Sequence, residues 1–93
     1  MAYEAEGRQI AVDLAKRYGK LLEARLKLRD PCRIVLLFER GNWVVPADFI
    51  FKFGYYGSGP ESFHAFLEAS GFKVSLSQVV DAVPGTVLRR SAA

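Results

Sequence analysis

Nine of the twelve aromatic residues of this chain fall between Trp43 and Phe72, and the whole chain has only 93 residues. A chain of that length supports one hydrophobic core, so the crowding forces a choice. The rings of "FKFGYYGSGPESFHAFLEASGF" either fill that core, line a subunit interface, or form a surface for flat ligands such as nucleic acid bases. Hydrophobic residues make up 51% of the chain and charged residues 25%, which takes it out of the disordered class and predicts a folded globular domain.

Around that segment the sequence punctuates itself. From Tyr3 to about Leu28, apolar residues recur as Ile10, Leu14, Tyr18, Leu21 and Leu22, and the spacing predicts one long amphipathic helix with a bend at Gly19. Asp13 with Arg17 and Glu23 with Lys27 are acid-then-base pairs at i,i+4, as expected on a solvated helix face. Asp30-Pro31 stops that element. "CRIVLLFER", the Gly41-Asn42 turn and "WVV" then read as a hairpin over residues 32–45.

Pro46 to Phe53 admits two readings. Pro46, Asp48 and Gly54 are placed as for a short helix, which is the preferred assignment, while Phe49, Phe51, Phe53 and Tyr55 share one face of a strand. Ser58-Gly59-Pro60 opens a clear helix, with Ser58 as cap candidate and Phe63, Phe66 and Leu67 facing inward, closed by Gly71. "FKV" reads as a short strand, Ser75 and Gln78 as a capping box, and "TVLRR" as a last strand. The order predicts an α+β domain over residues 1–93: a small antiparallel sheet packed by the N-terminal helix and short helices. A winged-helix arrangement is the alternative.

Catalysis finds little support. His64 is the only histidine and sits near Glu61 and Glu68 as an ordinary surface pairing; Cys32 is the only cysteine and reads as a small buried hydrophobe at a strand start. Glu39, Asp48, Glu61, Glu68 and Asp81 form no metal or acid/base motif, so no metal, cofactor or enzymatic activity is expected. Gly54, Gly57 and Gly59 do not follow the dinucleotide-binding order and lack the end of a triphosphate cradle. The charged start "MAYEAEGRQI" and the lack of a long apolar run predict a cytoplasmic protein without a membrane partner.

What remains is binding. Aromatics at loop edges flanked by cations suit single-stranded DNA or RNA, because bases stack on rings while cations follow phosphates. The candidate stacking residues are Trp43, Phe51, Phe53, Tyr55 and Tyr56, and the candidate phosphate ligands are Arg33, Arg40, Lys52, Arg89 and Arg90. A net charge of +3 agrees with a polyanionic partner without requiring one. The competing reading is a protein-interaction module that forms a homo-oligomer through the long helix or an aromatic-rich interface. A winged-helix reader of duplex DNA is a third.

"VVPADFIFKFGYYGSGPESFHAFLEASGF" resembles the central region of the ThermoDBP and ThermoDBP-related family of small archaeal single-stranded DNA-binding proteins. The matching signals are Pro46, Phe49 and Phe51, then Gly54, Tyr55, Gly57, Gly59 and Pro60, and the Gly71-Phe72 helix end. The resemblance implies an α+β fold distinct from the OB-fold, a cleft of apolar and aromatic side chains with basic edges, sequence-tolerant binding of single strands and no catalysis. It also implies an archaeal, thermophilic source, with which the scarcity of thermolabile residues agrees. The founding members carry a C-terminal leucine zipper; "LRRSAA" has no such pattern, so the resemblance leaves any oligomer to form another way.

Overall fold

The computed structural model describes residues 2–90. Helix α1 (Ala2–Tyr18) is followed by strands β1 (Leu21–Arg29), β2 (Cys32–Phe38) and β3 (Gly41–Val45), helices α2 (Ser58–Ala69) and α3 (Leu76–Val80), and strand β4 (Thr86–Arg89). The strands form one antiparallel sheet in the order β3-β2-β1-β4, so after β3 the chain crosses the helical layer and returns to the opposite edge. This is the expected α+β architecture, and the four-stranded sheet rules out the winged-helix alternative. No described helix is long and apolar enough to cross a membrane.

The N-terminal third departs from the expected single helix. Gly19, at a φ of 83°, ends α1 while its N–H still donates to Ala15 O at 2.9 Å, and β1 begins two residues later. Leu, Glu, Ala, Arg and Lys in "LLEARLKLR" are strong helix formers, but pairing with β2 on one side and β4 on the other overrides that preference. The buried positions Ala24 and Leu26 lie two apart, as in a strand with one covered face. Glu23 consequently pairs with Arg25 and Arg89 instead of Lys27.

Residues 46–57 form neither the preferred short helix nor a strand. Phe51 and Phe53 nevertheless both point inward, so the strand-like spacing holds without a hydrogen-bonded ladder. Residues 72–74, expected as a short strand, likewise form none. The hairpin, α2, β4 and the capping box match expectation; in the box Gln78 N–H donates to Ser75 Oγ at 3.2 Å and Ser75 N–H to Gln78 Oε1 at 2.8 Å. The expected cap of α2 moves by one residue: Gly57 precedes the helix, with no side-chain cap bond.

Ala24, Leu26, Ile34, Leu36 and Leu88 on the inner sheet face join Phe51, Phe53, Phe63, Phe66, Leu67 and Val79 in one core. Its centre is aromatic: Phe51 lies 5.3 Å from Phe63 and 4.8 Å from Phe66 between ring centroids. Helix α1 crosses α2 at Gly7, where a Cβ would stand 2.2 Å from Ser62 O. The buried Ser62 hydroxyl donates to Tyr3 O at 2.9 Å at the same crossing.

The outer sheet face carries two rows across all four strands. The register aligns Val44, Val35, Arg25 and Val87 in one, and Asn42, Leu37, Glu23 and Arg89 in the other. Glu23, with its side chain 15% exposed, accepts from Arg25 Nε at 2.5 Å and from Arg89 Nε at 3.0 Å. The Arg25 hydrogen bond, aided by Arg89, holds the Glu23 carboxyl below the usual carboxylate range despite some desolvation. A folded pKa below the unfolded one stabilises above the ordinary carboxylate range, and the contribution is lost as pH falls through the depressed value. Glu23→Gln should therefore lower the urea midpoint near neutral pH and converge with the parent in strong acid. An equal deficit at every pH would refute this role for the carboxylate.

Candidate functional site

Three concavities join around the β1–β2 turn. The middle one, about 480 Å³, is bounded by Arg29, Asp30, Pro31, Cys32, Ala47, Lys52 and Tyr55. A second, about 220 Å³, shares Lys52 and Tyr55 with it and extends past Ile50, Ser58 and Gly59 to Tyr3. The third, about 230 Å³, shares Pro31, Cys32 and Ala47 and reaches Leu28, Arg33, Val44 and Pro46. Adjoining at these shared residues, they line one stretch of surface, termed the groove below, from the start of α1, around the end of the sheet, to the margin of its outer face.

The loop of residues 46–57 is one wall. Its buried Phe51 and Phe53 anchor it to the core, which leaves Lys52 between them to turn toward the groove, where its ammonium donates to Ala47 O. Arg29 closes the opposite wall, donating through Nη1 to Gly54 O at 3.3 Å. Tyr55, 47% exposed, stands at the junction of the two concavities, and Tyr56 follows at 73%. Arg29, Lys52 and Arg33 outnumber Asp30 along the lining, so the groove favours an anion.

At the floor, Cys32 Sγ donates to Phe51 O at 3.6 Å, and burial pushes the thiol up, with Lys52 a weaker opposing influence. A protonated, buried thiol is a packing group and not a nucleophile. His64 serves the fold: Nε2–H donates to Val74 O at 2.8 Å, and Nδ1 lies 3.8 Å from Glu68. Among the described residues no cluster of His, Cys, Asp or Glu could hold a metal ion.

The structure sorts the sequence candidates unevenly. Phe51 and Phe53 are corrected from stacking to core residues, since they are 0% and 1% exposed and offer no face to a base. Trp43 is half-buried on the inner side, edge-on to Phe49 at 5.2 Å between centroids. Of the cations, Lys52 lines the groove and Arg33 its third concavity. Arg40 lies at the β2–β3 turn, at the other end of β2 from Cys32. Arg89 is held by Glu23 on the outer face. Arg90 is corrected to a structural residue, because its half-buried guanidinium donates to Ser70 O at the end of α2 and to Leu21 O at 3.4 Å. Arg29 and Tyr3 belong to the groove and were hidden in the sequence by their assignment to a long solvated helix. The one available signal was the position of Arg29 beside Asp30-Pro31, a turn. No family model, curated protein or solved structure matches the chain.

Proposed function

We propose that the protein binds single-stranded nucleic acid along this groove, with Tyr55 and Tyr56 offering rings to bases and Lys52, Arg29 and Arg33 meeting phosphates. The supporting observation is that one cation, Lys52, and one ring, Tyr55, together border two adjoining concavities. A ring beside a cation suits a strand that carries a base beside each phosphate, and it sets no base preference. Resemblance of residues 44–72 to the single-strand-binding family supports the same reading. On this reading the ligand is DNA or RNA, and the protein acts in the cytoplasm without catalysis.

Fluorescence anisotropy of labelled oligothymidine tests the proposal. Tyr55→Ala should cost about 1–3 kcal/mol, roughly a 5- to 150-fold loss of affinity. Lys52→Gln should weaken binding and lower the salt slope by about 0.7. Binding that is indifferent to salt and to both substitutions would reject the groove as the site.

A further inference from the structure

We propose that the outer face of the sheet docks an acidic amphipathic helix of another protein, one with an aliphatic stripe flanked by carboxylates. Antiparallel sheets can leave one face to water, and polar residues then alternate outward along each strand. Here the outward positions include Val35, Leu37, Val44 and Val87, while all three helices of the fold lie on the opposite side. Val44 and Val87, on the two edge strands, are 59% and 40% exposed. Val44, Val35 and Leu37 make an aliphatic patch over β3 and β2, with Arg25 and Arg89 beside it on β1 and β4, and aliphatic and arginine side chains together suit a protein interface.

Charge selects among occupants. Arg25 and Arg89 share the one carboxylate of the two rows, Glu23, and Arg33 stands at the margin, so the face keeps a surplus of positive charge. A second copy of the chain would set arginines against arginines, which costs affinity. A nucleic acid would find cations but no ring, because the rows contain no aromatic residue and the valines would gain nothing from bases. An acidic helix meets both demands: its aliphatic stripe covers Val44, Val35 and Leu37, and its flanking carboxylates meet Arg25 and Arg89 on one side and Arg33 on the other.

The test is an NMR titration of the full chain with a synthetic helix of about five turns, with leucines on one stripe and glutamates on both flanks. Saturable shifts are expected at Val35, Leu37 and Val87, with the amides of Tyr55 and Lys52 unmoved. A peptide with lysines in place of the glutamates should bind at least about tenfold more weakly, a control that leaves the protein's own folding untouched. Val87→Glu should weaken binding of the acidic peptide by a similar factor. Four results would overturn the proposal: no saturable shift with the acidic peptide, equal binding of both peptides, the same sheet residues moving with oligothymidine instead, or their shifts tracking protein concentration as a second copy docks.

Discussion

Phe51→Ala is expected to unfold much of the population, with a loss of about 3–5 kcal/mol. The ring has no exposed surface and contacts Phe49, Phe63 and Phe66, the first at 5.1 Å and near-perpendicular. Removing it empties the centre of the core and frees the loop that carries Lys52 and Tyr55. Set against a whole stability of about 5–15 kcal/mol for a domain of ordinary size, that is a large fraction. Phe51→Leu keeps most of the volume and should cost far less, about 1 kcal/mol. Oligothymidine affinity should then stay near that of the parent, because the ring does not touch the ligand. A Phe51→Leu variant that stays folded but loses most of its affinity would return the ring to a stacking role.

Gly7→Ala should destabilise by about 1–3 kcal/mol, against the direction that helix propensity dictates. In an exposed helix interior, alanine is better than glycine by about 1 kcal/mol. At this position the added Cβ would stand 2.2 Å from Ser62 O and 3.2 Å from Phe66 N, both backbone atoms of α2 that cannot rotate away. The two helices must separate, and the buried Ser62 hydroxyl then strains or loses its bond to Tyr3 O. Urea denaturation decides the sign, and a stabilised Gly7→Ala protein would contradict the close crossing. Because Tyr3 also borders the groove, the same change should loosen one end of the site.

Local signals served well where they were self-sufficient. Gly41-Asn42, the Ser58-Gly59-Pro60 start and the Ser75/Gln78 box each fix a turn or cap within four residues, and each corresponds to an element boundary within a residue. Strand β1 was hidden because its residues are good helix formers, and its partners β2 and β4 follow later in the chain, β4 by some sixty positions. In the 46–57 loop the alternation of Phe49, Phe51 and Phe53 was visible, but whether the rings faced a core or a ligand depends on the helices packed over them. The site was therefore half legible. Tyr55 is marked in the sequence by its place beside Gly54 and Lys52 by its place among the aromatics, whereas Arg29 and Tyr3 reach the groove only once β1 turns at Asp30-Pro31 and α1 crosses α2. Arg90 reads as a free cation in sequence, and only the end of α2 beside it reveals the carbonyls it holds.

The most direct test of single-strand binding in the groove is photo-crosslinking of the protein to an oligonucleotide carrying iodouracil, with the attachment site mapped by mass spectrometry. Adducts are expected on Tyr55 or Tyr56 and should disappear when unlabelled oligothymidine or high salt is added. Absence of any adduct under conditions of measured binding, or adducts confined to the outer strands β3 and β4, would contradict it.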